Sequence, residues 1–252
     1  MLSGIGPKDH LESKGVRCMH DLPGVGRHLQ DHMHVPMSYR VGKSISMQNH
    51  SHSNICEGTL FCSTVGERRI PNLQVHCGTI FFHPEGFTPL GEGFTLTPSL
   101  IHPQSMGYIE LASSDPDERP VIHGNYLNDP RDVETLVEGV KRVRKIGNEM
   151  IERLGGDCVE VHPGSAIDSN EEIEAYVKKH AGTMYHPVGT CRMGAEDDPD
   201  AVLDPEMRVR GIPGLRIADA SAMPEIIGSN TNATCIMLGE RCADFVIQSH
   251  KK

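Results

Sequence analysis

The sequence predicts an α+β fold, an antiparallel sheet flanked by helices with a distinct C-terminal region, and three observations carry that reading. Apolar and polar residues alternate with period two through much of residues 39–126, the mark of half-buried strands. Directly afterwards Val133, Leu136, Val137, Val140, Val143, Ile146, Met150 and Leu154 recur at three- and four-residue spacing, which lays them along one helical face. The remainder then loses both periods and becomes glycine- and proline-punctuated loops that end in one more helix.

Taken in order, residues 1–40 carry Gly4, Gly6, Pro7, Pro23, Gly24 and Gly26 between short apolar pieces and read as loop and short helix. Within the strand region, Asn72-Leu73-Gln74-Val75-His76 and Gly107-Tyr108-Ile109-Glu110-Leu111 alternate most clearly, and residues 84–93 have the composition of a surface loop. The long helix has a marked start, because Asp129 can cap the first amides and Pro130 suits the first helical position. Gly155 and Gly156 supply its stop. A second helix is expected after Ser169, whose hydroxyl pairs with Glu172 in a capping box; it should bury Ile173, Tyr176 and Val177 and end near Gly182. A short apolar strand is expected at Leu215-Arg216-Ile217-Ala218, and a final helix from about Asn232, at its cap, to Gln248.

Composition narrows the function. The chain has 252 residues, enough for one large domain or two modest ones, with ordinary hydrophobic and charged content. A formal net charge of -10 argues against binding a phosphate backbone, which needs clustered cations, so no nucleic-acid partner is expected. No apolar stretch approaches the roughly 20 residues that span a bilayer, and no leader pattern assigns a compartment. The eight cysteines contain no CxxC and read as buried small apolar residues.

Three segments hold the candidate chemistry. In Met184-Tyr185-His186-Pro187-Val188-Gly189-Thr190-Cys191-Arg192-Met193, Pro187 pushes His186 out of helical geometry and Gly189 permits a tight bend, so an imidazole suited to acid–base work is presented from a constrained loop. Alone, it reads first as a structural histidine bonded to backbone. In Gly228-Ser229-Asn230-Thr231-Asn232-Ala233-Thr234, a polar turn runs into the final helix, whose free amides and positive dipole end favour an anion or an electron-rich carbonyl. An ordinary Asn cap is the bland alternative. In Leu215 through Met223, an apolar run ends at Asp219 followed by small residues that let backbone approach a ligand, and an Asp-initiated turn reads the same way.

The ordered combination of these three segments resembles the C-terminal signature of the glucose-methanol-choline (GMC) oxidoreductases. The start agrees, since Leu2-Ser3-Gly4-Ile5-Gly6-Pro7 looks like the end of that family's second signature and Asp21 through His32 like the segment after it. The resemblance implies residues 1–35 as a remnant of an FAD-binding α/β domain, 36–180 as a substrate-binding domain, and 181–252 as the return to the FAD-binding domain. It implies FAD as cofactor, an alcohol as substrate, and an electron acceptor, either O2 or of quinone type. By the same resemblance His186 takes the hydroxyl proton while hydride passes from the same carbon to flavin N5, and Asn232 orients the alcohol oxygen. Asp219, Ala220, Asn230, Thr231, Asn232, Ala233 and Thr234 fall at flavin-contacting positions.

Two departures stand out. The family's Gly-x-Gly-x-x-Gly loop is absent, because Gly4-x-Gly6 and Gly24-x-Gly26 lack the third glycine and the preceding strand. The chain is therefore expected to be a fragment that binds FAD poorly and is inactive by itself. The second departure is His28, where the family commonly has Asn. Rival readings are a non-catalytic binding or structural relative, and a metal-binding module suggested by fifteen histidines, including His32-x-His34 and His50-x-His52. No carboxylate or cysteine set completes such a site, and no metal is expected.

Overall fold

The computed structural model describes residues 1–42, 56–66, 70–83, 86–89, 92–155 and 157–250. Among the described residues there are four α-helices: α1 (Lys8–Ser13), α2 (Pro130–Leu154), α3 (Asn170–His180) and α4 (Asn232–His250). The chain divides into two compact units. The first gathers Met1–Asp31, Ser105–Tyr126 and Tyr185–Lys252, and the second His32–Gln104 and Leu127–Met184.

The second unit is a helix-backed sheet. Its seven strands pair antiparallel throughout, with Gly93–Leu100 at the centre between Met37–Arg40, Met33–His34 and Leu73–Gly78. Period-two alternation sorts the central strand. Phe94, Leu96 and Leu100 join the apolar cluster, whereas the intervening Thr95 turns its hydroxyl to the Ile80 carbonyl at 2.6 Å. Val133, Leu136, Val140 and Val143 of α2 complete that cluster, each fully buried aliphatic contributing about 1.5–3 kcal/mol. Close approach is enforced at Gly147: a Cβ there would lie 2.3 Å from the Tyr39 ring, itself fully buried, so no larger residue fits.

Both helix starts in this unit follow from sequence. Asp129 accepts the Arg131 N–H at 2.9 Å with Pro130 next to it, and Ser169 and Glu172 form the reciprocal capping box, with Ile173, Tyr176 and Val177 buried beneath. Arg144 of α2 reaches Glu160 on the Val159–His162 strand at 2.9 Å, and both side chains are largely buried.

The first unit has a different construction. Beyond α1 and α4 it contains a two-residue parallel pair, Ile5–Gly6 with His20–Asp21, and the antiparallel pair Tyr108–Glu110 with Val121–His123. Its core, including Leu22, Val188, Leu203, Met223 and Leu238, is closed by hydrogen bonds between loops rather than by a continuous sheet. α4 buries Leu238 and leaves Ile236, Met237, Val246 and Ile247 exposed.

Three expectations are corrected. Residues 215–218 form no strand; Arg216 makes a single bridge to Arg208, because the flanking Pro213, Gly214 and Asp219 turns leave no room for a ladder. The loop expected at 84–93 includes the short strand Gly86–Pro89, paired antiparallel with Phe82–His83, because glycine and proline content is compatible with a short strand as well as with a loop. Residues 84, 85, 90 and 91, like Gly156, His50 and His52, lie outside the described residues. The Tyr108–Glu110 strand is real but belongs to the first unit, not to the seven-stranded sheet, so alternation identified the strand without identifying its partner.

Candidate active site

All of the sequence-derived site residues fall in the first unit. The His186 loop is tied at three points. Gln30 and Val188 exchange backbone hydrogen bonds, N–H of Gln30 to the Val188 carbonyl at 3.2 Å and the reverse at 2.9 Å. The Gln30 side-chain oxygen also accepts the Ile226 N–H at 3.1 Å. Further along, the N–H groups of Gly189, Cys191 and Met193 donate to the carbonyls of Ala220, Ser221 and Ala222 at 3.3, 2.9 and 3.0 Å. The segments 28–32, 186–193 and 219–226, far apart in sequence, thus form one laced surface.

Gly189 is required where these ties meet. Its φ of +90° is disfavoured for any side chain, and a Cβ would lie 2.3 Å from the His28 carbonyl oxygen. His28 itself adopts φ +58°, the left-handed conformation in which Asn and His are both enriched, so the departure at this position keeps the backbone the loop needs. Its Nε2 lies 3.6 Å from Asp200.

His186 is half-buried, and its Nε2 lies 3.4 Å from the side-chain nitrogen of Asn230. Burial pushes the imidazole below the usual histidine range, and the nearby Asp31 charge partly offsets this. The ring is thereby kept neutral and able to accept a proton. Asp31, 3% exposed, receives the His186 main-chain N–H at 3.0 Å on one oxygen and the Tyr126 hydroxyl at 3.1 Å on the other. A hydrogen bond to a charged group contributes about 1.5–3 kcal/mol, enough to hold the preceding Tyr185 at φ +61°, a conformation that costs about 1–3 kcal/mol.

The structure brings Asn230 to the imidazole, in the same turn as the Asn232 that the resemblance implies. Cys235 N–H donates to the Thr231 carbonyl at 3.0 Å, which makes buried Thr231 the cap and Asn232 the first residue of α4. Asn232 and Ala233 are exposed, Thr234 is half-buried, and it is Asn230, two residues earlier, that meets His186. Spacing alone offered two asparagines in one turn, and only the helix register separates them.

Asp219 is exposed and accepts the Ser221 N–H at 2.7 Å, capping the short 3-10 helix Ala220–Ala222. Its carboxylate is therefore spent on its own turn. Asp31 and Tyr126 received no role from the sequence. Asp31 lies within the Asp21–His32 segment that carries the resemblance, and Tyr126 carries no local signal. Among the described residues no group of three His, Cys, Asp or Glu side chains comes together to hold a metal, and no helix is long and apolar enough to cross a membrane.

The cofactor test falls on the start of α4. The first amides of a helix have no acceptor within it, and α4 differs from α2 and α3 in having no acidic side chain in its first turn to neutralise its positive end. The exposed Asn232–Ala233 corner therefore fits an electron-rich ring edge or phosphate.

A histidine facing an amide across a constrained loop lies in the same unit as a helix start that carries no acidic side chain in its first turn. The chain belongs to the GMC oxidoreductase family, whose model matches residues 103–239, more than half of its length. It is 39% identical to choline oxidase from Arthrobacter globiformis, across 98% of this chain and 45% of that one. To alcohol dehydrogenase [acceptor] from Pseudomonas putida it is 36% identical, across 98% and 48%. Its fold matches formate oxidase from Aspergillus oryzae RIB40, in a study of that enzyme's FAD modification, with a TM-score of 0.86 at 26% identity over 99% of this chain and 52% of that one. The chain spans about half the length of the curated relatives it matches. FAD is the cofactor of the family.

Proposed function

We propose that this chain supplies the catalytic portion of an FAD-dependent oxidoreductase that converts the CH–OH group of an alcohol to a carbonyl. The observation that carries the proposal is the meeting of His186 Nε2 and the Asn230 amide at 3.4 Å within two segments of family signature. In this reading, residues 1–35 and 181–252 belong to a cofactor-binding domain and 36–180 to a substrate domain.

His186, kept neutral by burial, accepts the hydroxyl proton at Nε2. Asn230 donates its amide to the alcohol oxygen, where negative charge grows as that proton leaves, so the base and the donor act on the same developing charge. An alkoxide releases hydride far more readily than an alcohol, and this is how a proton acceptor on one loop promotes a two-electron transfer. The chemistry FAD supplies when bound is acceptance of that hydride, with the electrons passing on to dioxygen or a quinone-type acceptor. The amides of Asn232, Ala233 and Thr234 and the backbone at Asp219 and Ala220 would hold it.

The test is His186→Ala in the full-length protein, assayed with choline-type, aliphatic and aromatic alcohols. Turnover should fall by roughly 10² or more while the flavin absorbance of the purified protein is retained. Unchanged turnover removes His186 from the mechanism.

A further inference from the structure

We propose that Asp31 is the positioning residue for His186: its carboxylate locks the Tyr185–His186 peptide and supplies the negative charge that favours proton uptake by the imidazole. This rests on the reading of His186 as a base and extends it to a residue that acts through His186.

The geometry has four parts. Asp31 is buried, and its two oxygens are divided between the His186 main-chain N–H at 3.0 Å and the Tyr126 hydroxyl at 3.1 Å. The residue between Asp31's grip and the incoming chain is Tyr185, at φ +61°, a conformation that L side chains rarely adopt. On the far side of His186, Val188 is already fixed by its paired bonds to Gln30, and Leu29 and Gly107 exchange bonds at 3.0 and 2.8 Å. The strip 29–31 is therefore anchored on two edges before its carboxylate reaches His186. Burial, with the Asp31 charge beside it, pushes the Tyr126 hydroxyl up to about 12, so it remains a donor and keeps the carboxylate oriented at ordinary pH. Around the ring, Asp31 is the charged group that acts on His186, Asn230 contributes a neutral amide, and Tyr126 stays protonated.

The experiment uses the 252-residue chain, labelled for NMR, with Asp31→Asn, Asp31→Ala and Tyr126→Phe compared with wild type. Asp31→Asn keeps an acceptor and removes the charge, so the His186 ring should titrate about one pH unit lower, roughly a tenfold loss in proton affinity. Asp31→Ala removes the acceptor too, and the His186 amide should exchange with solvent roughly tenfold faster while α2 amides are unchanged. A carboxylate that only fills space would leave the titration midpoint in place, and that result for Asp31→Asn overturns the proposal. If neither Asp31 variant folds, Tyr126→Phe decides: releasing the second oxygen should speed His186 amide exchange about threefold, and no change overturns it. Retained turnover in full-length His186→Ala would reject the base assignment while leaving these titration results intact, so the two failures are distinguishable.

Discussion

The two units spend their sequence differently. In the second, regular elements do the work: a seven-stranded sheet and α2 meet across interdigitated aliphatic side chains, and backbone hydrogen bonds run within continuous ladders. In the first, the backbone is mostly loop, with left-handed residues at His28, Tyr185, Met207 and several glycines, and loops bond to loops. The candidate site lies in the first unit, on laced loops. Regular structure repeats one geometry and offers few irregular positions, whereas laced loops can fix a histidine, an amide and a carboxylate from three distant segments within one small volume.

The contrast can be broken by mutation. The largest expected effect is Leu136→Ala in α2: the side chain is fully buried, and its removal should cost about 2–5 kcal/mol, read as a lower urea midpoint with faster amide exchange through the seven-stranded sheet. A loss under about 0.5 kcal/mol would mean that this unit is not held by its packed core. Gly189→Ala should act more locally. The new Cβ meets the His28 carbonyl in a conformation alanine disfavours, costing about 1–3 kcal/mol and speeding exchange at Val188, Cys191 and Met193 while α2 amides are unaffected. Acceleration in α2 as well would erase the distinction between laced loops and packed layers.

The smallest effect is a pH dependence at the start of α2. Hydrogen bonds from Arg131 hold the Asp129 carboxyl down at about 2, below its ordinary value. A depressed folded-state value means the cap stabilises above the unfolded-state value, near 4, and is lost as pH falls through about 2. The difference in urea midpoint between wild type and Asp129→Ala should therefore be full at about pH 5 and shrink steadily as pH falls toward about 2. A difference that stays full at the lower pH would show that the cap does not depend on the charge.

This contrast also explains what could be read from the chain. α2 and the start of α3 were legible to the residue because helix periodicity, Asp129-Pro130 and the Ser169–Glu172 box are local signals, whereas α3 ends at His180 and Gly182 already belongs to a strand. The strand at Tyr108–Glu110 was legible, but its membership in the first unit was not, since pairing is a long-range fact. At the site, the polar turn before α4 offers two asparagines, and it is Asn230 whose amide lies 3.4 Å from His186. Asn230 and Asn232 share one short polar turn, and only the register of α4, set by the Thr231 carbonyl, decides which of them faces the imidazole. Asp31 lay in plain sight in a resembled segment, but a carboxylate acting on a backbone amide 155 residues away leaves no local pattern.

The central claim is that His186 works with Asn230. Its most direct test is the rate of flavin reduction by an alcohol, measured anaerobically by rapid mixing in the full-length protein, for Asn230→Ala beside Asn232→Ala. The account predicts a fall of roughly 10- to 100-fold for Asn230→Ala and a change within about threefold for Asn232→Ala, both with normal flavin content. The opposite order, a large loss at Asn232 and none at Asn230, would contradict it.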